Sequence, residues 1–159
     1  MSRLEPRNEE ESEGETIHVD MLEVKKAQSP DTIRTTALGP CVGLFVYDPV
    51  TKQAIGTHLV NPVEDQDILA DMLEEIEQMF PVKQRLRIYL GGSGPTKVAP
   101  LKQRKEERSF IEEELKRRGF QQTQIEVRWS KDPYDNVSMI LNTQSGEFEY
   151  LVQDDSDYI

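Results

Sequence analysis

Residues 35–62 read TTALGPCVGLFVYDPVTKQAIGTHLVNP, and the two apolar runs on either side of Asp48-Pro49 set the frame for the whole chain. The first, VGLFVY at 42–47, is apolar and rich in β-branched and aromatic residues with no polar alternation, as expected of a strand covered on both faces. Asp48-Pro49 is a turn signal. Residues 54–60 resume the strand pattern so soon afterwards that an antiparallel hairpin is the expected connection.

Working outward, Ile17, Val19 and Met21 recur at period two within residues 16–24, which predicts a strand with one buried face. His18 falls on its other face and receives no role. Over 64–80, Ile68, Leu69, Met72, Leu73, Ile76, Met79 and Phe80 form the stripe of an amphipathic helix stopped by Pro81. RLRIYL at 85–90 reads as a strand entering the glycine-rich 91–95. A second helix is expected over 106–118, terminated by Gly119. Strands are expected at 124–129, 136–141 and 147–152, the last two joined by a turn at Gln144-Ser145-Gly146.

The resulting order, β-β-β-α-β-α-β-β-β, predicts an α/β (α+β) domain: mixed or antiparallel sheets, sandwich-like, with two long helices packed outside. Residues 1–15, MSRLEPRNEEESEGE, are acidic with little to bury and read as a disordered arm. Residues 153–159 read as an acidic tail. A single domain is expected over 16–152.

The chain has 159 residues, one cysteine, two histidines and a formal charge of −11. That length supports a core without metal or disulfide staples. The negative charge argues against a nucleic-acid partner, since phosphate neutralisation needs a basic face. The basic cluster at 97–108 is answered by Glu112, Glu113 and Glu114 and reads as a solvated helix face. One cysteine with His18 and His58 cannot build a typical zinc site, so no metal is expected. The lone cysteine, the absence of a signal-peptide pattern and the lack of an apolar run near the roughly 20 residues of a membrane span predict a reducing cytoplasm and no membrane span.

Chemistry concentrates on Cys41. It follows Leu38-Gly39-Pro40, so it leaves a constrained turn as it enters a strand, where a nucleophile can be held rigidly. Its own amide is a candidate oxyanion donor; Pro40 has no N–H to offer. Counting back through the hairpin brings His58 roughly opposite Cys41. A thiol with a pKa near ~8.5 needs such a base to act as a nucleophile at neutral pH. Thr35, Thr36, Thr57 and Asn61 are the nearby groups able to orient the imidazole. The segment GGSGPT lacks the lysine-hydroxyl ending of a phosphate loop, and reads as a turn beside the site. Trp129, Tyr134 and Tyr89 read as core or rim.

The same segment resembles the signature region of the CheD family of chemoreceptor glutamine deamidases. Its members carry a threonine, an L-G-S-C-V turn and strand, a D-P turn and a G-x-x-H-x-x-x-P strand. The intervals from Thr35 to Cys41 and from Cys41 to His58 agree with that family. RIYLGGSG, ERSFIEEELKRRGF and VSMILNTQSGEFEY are similar to its glycine-rich segment, second helix and closing hairpin. The resemblance implies that Cys41 is the nucleophile, His58 its base and Thr35 the group orienting the histidine, in conversion of protein glutamine to glutamate with release of ammonia and without a cofactor. It also implies a chemoreceptor substrate and a phosphatase-like chemotaxis partner. Pro40 replaces the usual serine, Gly56-Thr57 replaces a glycine pair, and 130–135 replaces a glycine- and arginine-rich segment. These departures alter the rim more than the triad. They leave two alternatives: a non-catalytic or weakly catalytic CheD-like binding or adaptor protein in a signalling pathway, and a deamidase effector with a different protein target. Related glutamine-deamidating toxins place glycine before the cysteine, where this chain has Pro40.

Overall fold

The computed structural model describes residues 14–131 and 135–154. The expected arm lies mostly, and the expected tail largely, outside the described residues, as do Asp132, Pro133 and Tyr134. The described residues form nine strands and two helices: β1 Thr16–His18, β2 Val24–Gln28, β3 Thr32–Thr35, β4 Val42–Asp48, β5 Gln53–Leu59, α1 Gln66–Met79, β6 Arg87–Gly92, α2 Leu101–Arg117, β7 Ile125–Trp129, β8 Asp135–Asn142 and β9 Phe148–Asp154. A four-stranded sheet has the order β1-β3-β8-β9 and a five-stranded sheet the order β2-β5-β4-β6-β7. Both are mixed, because β1 runs parallel to β3 and β6 parallel to β7 while the other pairs are antiparallel.

β4 shows why its sequence does not alternate. Val42, Leu44 and Val46 pack with Leu69, Met72, Leu73, Ile76, Ile111 and Leu115 of the helices. The residues between them, Phe45 and Tyr47, pack with Ile33, Val137, Met139 and Leu141 of the other sheet. The five-stranded sheet is therefore the middle of three layers, apolar on both faces. The two outer layers, helices and four-stranded sheet, each have one face in contact with it.

Two elements differ from what the sequence predicts. The single strand over 16–24 is two short strands in different sheets, β1 and β2, separated by a turn that leaves Met21 60% exposed. Period-two spacing continued across that turn by coincidence. The second helix starts at Leu101, five residues before the expected 106. Its inward positions are Arg104, Glu107, Ile111 and Leu115, so half of its buried stripe is charged and gives no apolar signal.

The Asp48-Pro49 turn is held by a buried carboxylate. Arg85 Nε and Nη2 donate to the two Asp48 oxygens at 2.9 Å each, and the Val50 N–H donates to Oδ1 at 2.9 Å. Burial alone would raise the Asp48 carboxyl, but bonds from Arg85, Val50 and Thr51, with the Arg85 charge, hold it below the usual carboxylate range. Tyr89 stacks on Phe148 with centroids 4.1 Å apart, and Trp129 packs on the helix-facing core. Tyr89 is buried in the core and Trp129 is half-buried at its edge, within the core-or-rim expectation.

Candidate active site

Thr35 ends β3 in the outer sheet, whereas His58 lies near the end of β5 in the central sheet. The layer between the sheets brings them together: Thr35 Oγ1 lies 2.8 Å from His58 Nδ1, and the pair is buried. The threonine hydroxyl also donates to the Val19 carbonyl at 2.7 Å. A hydroxyl has one hydrogen. With that hydrogen on Val19, the bond to His58 must run from Nδ1–H to the threonine oxygen. The neutral imidazole then carries its lone pair on Nε2. That atom is buried and has no hydrogen-bond partner among the described residues.

Cys41 immediately precedes β4. His58 registers with Gly43, and Val42 with Leu59, so within the expected rough alignment Cys41 lies two positions along from the residue directly opposite His58. Cys41 belongs to the inter-sheet cluster with Phe45 and Tyr47, which puts it on the face that carries His58. The two are diagonal neighbours, a relation in which Cα atoms stand about 7–8 Å apart and long or aromatic side chains still meet. Cys41 is 8% exposed, His58 3% and Thr35 1%.

Backbone contacts seat the cysteine. Its N–H donates to the Leu38 carbonyl, closing the turn, so in the free protein this amide is engaged within the turn. Ser93 N–H donates to the Cys41 carbonyl at 2.7 Å and Gly94 N–H to the Gly39 carbonyl at 2.8 Å. Gly92 has φ +91°, and a Cβ there would stand 2.2 Å from the Cys41 oxygen. Only glycine permits both that conformation and that approach. The GGSG segment is thus the floor under the cysteine turn.

Burial pushes the Cys41 thiol up, opposed by the charge of Arg104 and assisted by Asp65. Burial pushes the His58 imidazolium down, partly offset by Asp20. Both effects favour an uncharged thiol and an uncharged imidazole at neutral pH, the state in which Nε2 is free to take a proton.

The other orienting candidates go elsewhere. Thr36 is exposed. Thr57 donates to the Glu23 carbonyl at 2.7 Å, and Asn61 Nδ2 reaches Glu107 Oε2 at 3.2 Å. Nor is the basic cluster wholly a solvated face. Lys97, Lys102 and Lys105 are exposed, but Arg104 is buried, and Arg108 Nη2 donates to the Ser93 and Ser130 carbonyls at 2.6 and 2.7 Å. Sequence reasoning missed both arginines because a charged residue on an inward stripe looks the same as one on an outward stripe. Among the described residues, no three His, Cys, Asp or Glu side chains converge as a metal site would, and no helix is long and apolar enough to cross a membrane.

The chain is 31% identical over 122 residues to a probable chemoreceptor glutamine deamidase CheD of Desulfitobacterium hafniense, covering 65% of this chain and 75% of the relative. The chain belongs to the CheD family. A chemoreceptor glutamine deamidase CheD of Bacillus subtilis is 45% identical over 51 residues, about a third of each chain (32% and 31%). No protein-family model matches the chain. Among solved structures, the Bacillus licheniformis hypothetical protein YfiH has the same fold over 69% of this CheD-family chain, with a TM-score of 0.52 and 15% identity. The chain spans about half of that protein, 51% of its length.

Proposed function

We propose that this CheD-family protein is a cysteine amidohydrolase that converts glutamine side chains of a protein, in the first instance chemoreceptors, to glutamate. The observation that carries the proposal is the Thr35–His58 bond, whose direction leaves Nε2 as a free base on the face that Cys41 shares. In this mechanism Cys41 is the nucleophile, His58 the general base and Thr35 its orienting group. As the sulfur attacks the glutamine amide carbon, its proton passes to Nε2. The imidazolium returns that proton to the departing nitrogen, which leaves as ammonia, and a thioester remains. Water, deprotonated by the same imidazole, cleaves the thioester to glutamate and restores the thiol. No external oxidant or cofactor enters the balance. The protein acts in the reducing cytoplasm, where Cys41 stays a thiol.

Absence of a hydrogen bond between Nε2 and the sulfur in the free protein is consistent with this chemistry, because catalytic bonds tighten on substrate binding. A binding or adaptor role is favoured instead by the near-complete closure of Cys41 and His58 from solvent.

Mass spectrometry of a chemoreceptor cytoplasmic fragment incubated with wild type and with Cys41→Ala separates the two. Glutamine-to-glutamate conversion by wild type alone is expected. Identical spectra from the two proteins would leave the binding role.

A further inference from the structure

The turn that carries Cys41 and the chain leaving His58 belong to different parts of the sequence, and one buried carboxylate on α2 connects them. Glu107 Oε1 accepts from Arg104 Nη1 at 2.7 Å, and Oε2 accepts from Asn61 Nδ2 and Gln103 Nε2 at 3.2 Å each. Both charged partners are buried, Arg104 at 7% and Glu107 at 4% exposure. On one side, Arg104 Nε donates to the Gly94 carbonyl at 2.9 Å, and the Gly94 N–H donates to Gly39, two residues before Cys41. On the other side, Asn61 lies three residues after His58. Its side-chain oxygen already accepts from the Val63 and Glu64 N–H groups, at 2.9 and 3.2 Å, which fixes its Nδ2 toward Glu107.

A buried ion pair of this kind is weak ground for stability, because desolvation offsets most of its attraction. Geometry is the better account of its place: the path Asn61–Glu107–Arg104–Gly94–Gly39 ties the chain leaving His58 to the turn that precedes Cys41. Neither Glu107 nor Asn61 touches Cys41 or His58 through any of these bonds.

We infer that Glu107 is a positioning residue, which with Arg104 and Asn61 sets the separation of the Cys41 turn from the strand end that carries His58. The inference rests on the proposed pairing of Cys41 with His58, and it goes further by assigning that pairing's alignment to α2. Charged groups acting on the pair are Arg104 and Asp65 at Cys41 and Asp20 at His58, and none of the substitutions below removes them.

Glu107→Gln offers one acceptor and one donor where two acceptors are needed, so it keeps Arg104 or Asn61 but not both. Adding Asn61→Asp reverses the polarity of the second bond: the new carboxylate accepts from the new amide, still caps Val63 and Glu64, and restores the net charge.

Alkylation of Cys41 by iodoacetamide, followed against pH in the full chain, reads the alignment without any protein substrate. Thermal unfolding checks that each variant is folded. Wild type should show a neutral-pH rate that His58→Ala abolishes. Glu107→Gln should lose about ten- to a hundredfold of that His58-dependent rate, the range expected for misplacement on the order of 1 Å. The double variant Glu107→Gln, Asn61→Asp should recover most of it. A wild-type profile in Glu107→Gln, or a loss that the folded double variant does not recover, overturns the positioning role while leaving the Cys41–His58 pairing standing. Equal profiles for wild type and His58→Ala would remove the pairing itself, and the positioning role with it.

Discussion

Thr35 oxygen is bonded on both sides, to Val19 and to His58, and both partners are buried beyond the reach of water. Thr35→Val would strand a carbonyl and an imidazole N–H together, so a loss of about 1–3 kcal/mol per unpaired group is expected in urea unfolding. Thr35→Ser keeps the hydroxyl and should keep most of the stability and the deamidation rate, whereas Thr35→Val should lose rate as well. The pH dependence has a definite sign. Burial lowers the proton affinity of His58, and only the neutral imidazole can accept the thiol proton. Deamidation should therefore hold constant through neutrality and fall only below the ordinary histidine range, near ~6.5. A rate that already declines between pH 8 and 7 would place His58 in a different protonation state. Stability follows the same direction: the unfolded chain takes up a proton on His58 that the folded one resists, so stability from this group is lost as pH falls through the ordinary histidine value.

Among the elements, the β4–β5 hairpin was legible in the sequence because its apolar run, its turn and the two residues proposed to react lie within one short stretch. Its turn makes a separate prediction. Asp48 is fully buried and held by Arg85, whose side chain is 27% exposed, so Asp48→Ala leaves the Val50 N–H and the guanidinium without their carboxylate and should destabilise the protein by about 1–3 kcal/mol in urea unfolding. The folded Asp48 pKa is lowered, so its contribution is complete above the unfolded value of about 3.9 and is lost as pH falls through the folded one. β2 and β3 were not legible. VKKAQ buries only Ala27 at the sheet edge, and TIRT is four residues long, too short for a period to declare itself. Thr35, one of the four orienting candidates, could be chosen from the sequence only by resemblance to a family. The structure adds a physical ground, since β3 is the one strand that brings a candidate hydroxyl across the inter-sheet layer to His58.

On the scale of the molecule, the candidate site lies where two sheets meet, and that meeting depends on small residues. A Cβ at Gly56 would stand 2.5 Å from Phe45 Cδ1 and 3.0 Å from Ile33 Cδ1. Gly56→Ala should therefore force the packing apart at a cost of about 1–3 kcal/mol, seen as a lower denaturation midpoint. Because Thr35 and His58 sit on opposite sheets, the same substitution should weaken the site more than a surface change of equal stability. Sequence periodicity could not foresee this closeness, since it reports which face of a strand is buried and not what lies against it. Helix α2, remote in sequence from the hairpin, packs on the other face of the central sheet and meets the flanks of the site only at the strand ends, through Gly94 and Asn61.

In the proposed reaction Cys41 forms a thioester with a protein glutamine, and hydroxylamine intercepts thioesters. A chemoreceptor fragment incubated with the protein and hydroxylamine, then digested and read by mass spectrometry, should carry a hydroxamate at the glutamines converted to glutamate when hydroxylamine is left out. Cys41→Ala should give neither product, and His58→Ala should give both only slowly. Glutamate formed equally by wild type and Cys41→Ala, or unconverted glutamine with wild type at every site, would contradict that reaction.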